Sequence, residues 1–133
     1  MEYVIRNVLG ALSSACENLR KGLYALVIEE CFLASELIVK LLCEWAFKRG
    51  FIAKLPVSHR GRQNALTILH KRGLVPHEVV SAYSEVMRLR ERSVYALKNG
   101  DLAKEMLHLS YTLVKDVLEV LGVRVVVEEC KGV

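Results

Sequence analysis

The stretch from Leu23 to Phe47 is the most apolar in the chain, and its apolar residues recur on nearly every side of a helix: Leu26, Val27, Leu33, Leu37, Ile38, Leu41, Leu42 and Trp45. Such a helix, predicted over about Leu23–Arg49, is stable only when neighbouring elements cover it from several sides. Glu29, Glu30, Glu36, Lys40 and Glu44 interrupt it often enough that no run of about eighteen residues is free of charge, which argues against a membrane span. The cover must come from the rest of a 133-residue chain, a size that fits one domain with its own core.

Helical spacing supplies that cover. A first helix is predicted over about Glu2–Lys21, with Val4, Val8, Ala11, Leu12, Ala15 and Leu19 on one stripe. After a connection containing Pro56, a short helix is expected over Arg62–Lys71 with Ala65, Leu66 and Leu69 inward. Pro76 suits the first turn of a fourth helix, Glu78 complements its dipole, and its core positions run Val79, Ala82, Val86, Leu89, Ser93 and Ala96 up to Asn99-Gly100. Asp101 is expected to cap the last helix, whose stripe is Leu102, Met106, Leu109, Leu113, Val117 and Leu121.

Gly22, Gly50, Gly61, Gly73, Gly100 and Gly122 read as helix ends, whereas Gly10 lies inside the first helical pattern and suggests a close helix approach. Residues 123–127, with only Arg124 polar, are otherwise β-branched and too short for a further helix, so they read as an extended tail that either frays or packs on a partner subunit. The predicted architecture is all-α: an antiparallel bundle of four long helices plus one short helix over residues 1–122, followed by an extended tail over 123–133.

Cysteine usage and the N-terminus bear on location. Cys16, Cys31, Cys43 and Cys130 form no C-x-x-C pair and have no histidine at ligand spacing, so no metal or other cofactor is expected. Cys16, Cys31 and Cys43 fall in apolar helical segments and read as free core residues. Met1–Gly10 carries Glu2 and Arg6 within a helical pattern and lacks the order of a secretory signal, so a cytoplasmic location is expected, where disulfides are unusual. Hydrophobic residues make up 53% of the chain and mean hydropathy is +0.27, which points to apolar surface hidden by self-association, as in a homodimer.

The formal net charge is only +4, but it is uneven. Lys48, Arg49, Lys54, Arg60, Arg62, Lys71, Arg72, Arg88, Arg90 and Arg92 face only Glu78, Glu85 and Glu91 in the same segment, so the middle of the chain suits an anionic partner, RNA before others. Solvated helix ends account for the same charges without a partner.

Within that segment, Arg88, Arg92 and Tyr95 stand at i, i+4 and i+7 on one face, and Arg90 points nearer the core stripe. An inward arginine needs a carboxylate. Glu36, set among Leu33, Ala34, Leu37 and Ile38, is the expected partner, in a buried Arg90–Glu36 pair that either builds a site or fixes helix register. Tyr24, Tyr83 and Tyr111 lie on or beside apolar stripes and read as core residues with a polar end. Of the histidines, His59 in the Pro56 connection is the candidate for a site, and His70, His77 and His108 read as surface or satisfied helix residues.

Leu19-Arg20-Lys21-Gly22-Leu23-Tyr24, then Ala34 to Leu42, then Ser58-His59, then Arg88 to Tyr95 resemble in order and spacing the HEPN superfamily, over about Leu12–Leu121. The resemblance implies a helical partner of a nucleotidyltransferase, or a protein acting on RNA. In ribonuclease and toxin members of that family, which include toxin–antitoxin systems, an arginine is followed by roughly four to six residues and then a histidine, often with a tyrosine two positions beyond. Here Arg88 takes the arginine position and Tyr95 the tyrosine position, with Ser93 where the histidine belongs; alternatively, Arg90 and Tyr95 match a shorter form without histidine. Serine cannot exchange a proton near neutral pH as histidine does, so efficient RNA cleavage is not expected.

No P-loop, Rossmann glycine pattern, G-x-S-x-G or paired-carboxylate signature is present. The expected site for RNA or a nucleotide comprises Arg88, Arg90, Arg92, Ser93, Tyr95, Glu36, His59 and Arg60. Arg88, Arg90 and Tyr95 are the catalytic candidates should the chain instead be a metal-independent endoribonuclease, with His59 or Tyr95 in place of the missing histidine. The expected partners are a second copy, a nucleotidyltransferase, and RNA or a nucleotide, with no membrane.

Overall fold

A computed structural model describes residues 1–92 and 99–132. Among the described residues five helices follow one another: α1 (Glu2–Arg20), α2 (Tyr24–Lys48), α3 (His59–Lys71), α4 (His77–Glu91) and α5 (Gly100–Val120). The described residues contain no strand, and no described helix is long and apolar enough to cross a membrane.

Four helix ends share one device. At Gly22, Gly50, Gly73 and Gly122 the backbone takes φ between 71° and 75°, which a side chain disfavours. The next residue then donates its N–H back to a carbonyl of the finished helix: Leu23 to Asn18, Phe51 to Ala46, Leu74 to Leu69 and Val123 to Leu118, at 2.9–3.0 Å. Each chain reversal thereby satisfies a carbonyl that the helix end leaves open.

Two of the expected glycine stops are instead helix starts. Gly61 lies in the first turn of α3 and donates its N–H to Ser58 Oγ at 3.0 Å, so Ser58 caps a helix that begins at His59 rather than Arg62. A Cβ on Gly61 would lie 3.2 Å from Pro56 Cβ, so the glycine admits the turn that contains Pro56. Gly100 is the first residue of α5, and Asn99, not Asp101, is its cap: Asn99 Oδ1 accepts from the N–H groups of Asp101 and Leu102 at 3.1 and 3.3 Å. Gly10 faces open space and makes no close helix approach.

The core forms around α2, which packs on each of the other four helices. Ile28, Ile38 and Leu42 meet Val8 and Leu12 of α1, Leu66 and Leu69 of α3, Val86 and Leu89 of α4, and Met106 and Leu113 of α5 in one buried cluster. Each large aliphatic side chain buried in this way contributes roughly 1.5–3 kcal/mol. The cover is not complete: Leu26 and Leu33 are half exposed, so α2 keeps one open stripe where the sequence suggested apolar contact all round. A polar pin joins α2 to α5, with Ser35 Oγ 2.7 Å from Ser110 Oγ and Ser110 Oγ donating to the Cys31 carbonyl at 2.9 Å.

After α5 the chain runs without regular structure and folds back on its own helices. Val123, Val127 and Cys130 rest on the core, whereas Val125 and Val126 face solvent. Cys130 forms a disulfide with Cys16 of α1, their Cα atoms 5.5 Å apart. This corrects the reading of Cys16 as a free core cysteine; a separation of 114 residues gave no local sign of the pairing. Cys31 and Cys43 are free and buried.

Candidate functional site

A buried carboxylate organises the face shared by α2, α3 and α4. Glu36 sits midway along α2 and receives Arg62 Nη2 on Oε2 at 2.7 Å and the Tyr83 hydroxyl on Oε1 at 2.5 Å. Arg62 Nε in turn donates to Tyr83 Oη at 3.1 Å, closing a three-membered network with no exposed gap. Such a network is tolerated in a core only when every lone pair and proton has a partner. Among the described residues no buried side-chain nitrogen or oxygen is left without one.

The network holds its charges firmly. Burial pulls against the Arg62 guanidinium, but the hydrogen bond and charge of Tyr83 and Glu36 outweigh it and raise its pKa. Burial, and then the hydrogen bond to Glu36, push the Tyr83 hydroxyl well above its ordinary range. Arg62 neutralises Glu36, so the pair adds little field to the surface.

His59, the first residue of α3, stands at the mouth of this network. Its Nδ1 lies 3.1 Å from Glu36 Oε2 and 3.1 Å from Arg62 Nη2, and more than half of its side chain is exposed. If Nδ1 carries a proton it faces Glu36 Oε2 at ion-pair distance and leaves Nε2 as an acceptor; if Nδ1 accepts from Arg62, then Nε2 is the donor. Either way, a buried carboxylate and guanidinium orient an imidazole toward solvent. The ring packs edge-on against Phe32 of α2, with centroids 5.7 Å apart.

Phe32 also carries Arg90. The guanidinium of Arg90 lies 4.6 Å from the Phe32 centroid and pairs with Glu29 at 3.3 Å, about half exposed. The expected buried Arg90–Glu36 pair is therefore not formed; Tyr83 and Arg62 occupy Glu36 instead. Two rows meet here in opposite directions: Glu29, Phe32 and Glu36 along α2, and Arg90 and Tyr83 along α4. Arg90 is displaced from Glu36 by two helical turns along the same face.

The remaining expected site residues divide. Arg60 is exposed beside His59 in the first turn of α3. Arg88 is exposed and bound to Glu85, whose hydrogen bond and charge raise its pKa. Arg92 caps the end of α4 through its backbone. Ser93 and Tyr95 lie outside the described residues, as does Ala96, assigned to the fourth core stripe. Lys48 and Arg49, at the far end of α2, stand roughly 25 Å along the axis from Phe32 and do not join the patch; Arg49 stacks on Trp45 instead.

Sequence reasoning missed Arg62, Tyr83 and Phe32 as parts of this cluster. The sign was present for two of them. Arg62 shares the i, i+3, i+4, i+7 stripe of Ala65, Leu66 and Leu69, and Tyr83 shares that of Val79, Ala82 and Val86, so both point inward. Among the described residues no group of three or more histidine, cysteine or acidic side chains is placed to hold a metal. Comparisons with family models, with curated proteins and with solved structures returned no match for this chain.

Proposed function

We propose that this chain is a HEPN-like antiparallel helical bundle that binds the phosphates of RNA or a nucleotide at the surface formed by His59, Arg60 and Arg90, without efficient catalysis of its own. The observation that carries the reading is the first turn of α3. It presents His59 and Arg60 to solvent, with Arg62 buried and neutralised by Glu36 of α2, and contains no acidic residue of its own. Cations at a helix N-terminus oppose the dipole, and an anion docked there relieves both the dipole and the like charges. Arg90, on the other side of Phe32, extends the same surface. Of the arginines at the end of α4, Arg88 favours its helix dipole and already has Glu85 as a partner, so it weighs less than the sequence suggested.

In this reading the protein acts as a homodimer and as the helical partner of a nucleotidyltransferase, as the HEPN resemblance implies. A second reading draws on His59. An exposed imidazole oriented by a buried carboxylate has the form of a general base, and RNA supplies its own 2′-hydroxyl nucleophile, so metal-independent cleavage with Arg90 beside the phosphate is the alternative.

One experiment separates the two. Labelled structured RNA is incubated without metal across a salt series with wild type, His59→Ala, Arg60→Ala and Arg90→Ala. Binding without cleavage, with a salt slope reduced by about one unit in Arg60→Ala, supports the binding module. Cleavage lost in His59→Ala makes the chain a ribonuclease. Affinity that does not change with salt removes RNA from the proposal.

A further inference from the structure

We propose that the Cys16–Cys130 disulfide is a thiol-responsive latch: a dithiol reductant opens it and releases residues 123–132 from α1 and α5 while the five helices stay folded.

The bond does most of the holding. Besides it and the Val123 N–H bond to the Leu118 carbonyl that closes α5, the segment is tied by Arg20 Nη2 donating to the Lys131 carbonyl at 2.9 Å and by Lys115 Nζ against Glu129 at 3.4 Å, both exposed. Exposed pairs of this kind contribute roughly 0–1 kcal/mol. Of the valines, Val125 and Val126 point to solvent and only Val123 and Val127 rest on the core.

The segment also bridges space instead of filling it. A cavity of about 440 Å³ lies along one side, lined by Leu9, Leu12, Tyr111 and Val127, and another of about 150 Å³ lies near Cys130, lined by Leu107, Tyr111 and Thr112. The helices also pack on one another independently of the bond, since α2 contacts each of the other four described helices. Cys130 is only partly buried, so a reductant can reach it, whereas Cys16 is almost fully covered.

The exchange balances without a further reactant. A thiolate of the reductant attacks Cys130 Sγ and forms a mixed disulfide; the Cys16–Cys130 bond breaks, and Cys16 leaves with the electron pair and takes a proton from water. The second thiolate of the reductant attacks its own sulfur in the mixed disulfide and expels Cys130, which is protonated in turn. Two electrons pass to the protein and the reductant ends as a disulfide.

The test uses the intact chain, oxidised or treated with dithiothreitol, and measures alkylated thiols, helicity by circular dichroism and the rate of tryptic cleavage after Arg124. Reduction is expected to expose two alkylatable thiols without denaturant and to speed cleavage at least tenfold with helicity retained. Cys130→Ser should cleave at the fast rate with or without reductant. Resistance of the bond to dithiothreitol, an unchanged cleavage rate, loss of helicity on reduction, or a Cys130→Ser variant that cleaves slowly would each overturn the latch.

Discussion

Glu36 and Arg62, twenty-six positions apart in sequence, meet at 2.7 Å with 6% and 7% of their side chains exposed. This contact joins the middle of α2 to the first turn of α3. It also fixes where His59 stands, since Nδ1 of His59 reaches both partners. The only histidine that the sequence marked as a site candidate is thus held by two charges that cannot leave without cost.

Removing one member of that pair leaves the other charged and buried. Arg62→Met is expected to destabilise the protein by about 3–5 kcal/mol, whereas Arg90→Ala, which loses a half-exposed pair with Glu29, costs about 1 kcal/mol or less. Urea denaturation of the two variants checks the assignment. Equal losses would contradict the assignment of Arg62, and not Arg90, as the buried cation.

Tyr83 gives the network a pH dependence at its alkaline side. Its pKa in the fold is raised above the ordinary value of 10.0, by burial and by the bond to Glu36. The unfolded chain therefore releases this proton first, and the contribution is fully present below pH 10 and is lost as pH rises toward the folded value. Tyr83→Phe should lower stability by about 1–3 kcal/mol at neutral pH, because Glu36 loses a donor. Above pH 10 the variant should decline less steeply than wild type. Denaturation midpoints at pH 7 through 11 test both statements, and parallel curves would contradict the raised pKa.

The Ser35–Ser110 pin sets a direction of donation. Ser110 gives its proton to the Cys31 carbonyl, so Ser35 is the donor in the contact between the two hydroxyls. Ser110→Ala then strands a buried hydroxyl and should cost about 1–3 kcal/mol, while Ser35→Ala combined with Ser110→Ala should cost less than the sum of the single changes. A double-mutant cycle reads the difference directly. Additive losses would mean that the hydroxyls do not share a bond.

The two free cysteines should be chemically silent in the fold. Burial pushes the Cys43 thiol up to about 12, with Glu36 and Glu44 adding to the effect and Arg62 opposing it. Burial raises Cys31 as well, reinforced by Glu30. Thiolate is the reactive form, so neither residue should be labelled at pH 8 in the native oxidised protein, and both should be labelled in denaturant. Labelling of Cys43 without denaturant would show that this part of the core opens.

Much of the fold was legible because it rests on local rules. The spacing of apolar residues marked the five helices, and Gly22, Gly50, Gly73 and Gly122 marked four ends, since a positive φ strongly favours glycine there. Gly61 and Gly100 were misread because a glycine needed for close approach, to Pro56 or to the Tyr24 ring, has the same letter as one needed for φ.

Local periodicity and residue chemistry were enough to read the chain as helical, with α2 central and with Glu36 and His59 standing out as charged and titratable residues. Which groups meet depends on how the helices pack. Residues seven apart lie on the same helical face, so Glu29 and Glu36 were equivalent partners for Arg90 until the packing of α2 on α4 set the register. The disulfide was hidden for a similar reason: Cys130 follows α5 in a segment without periodicity, and only its path back across α1 brings it to Cys16.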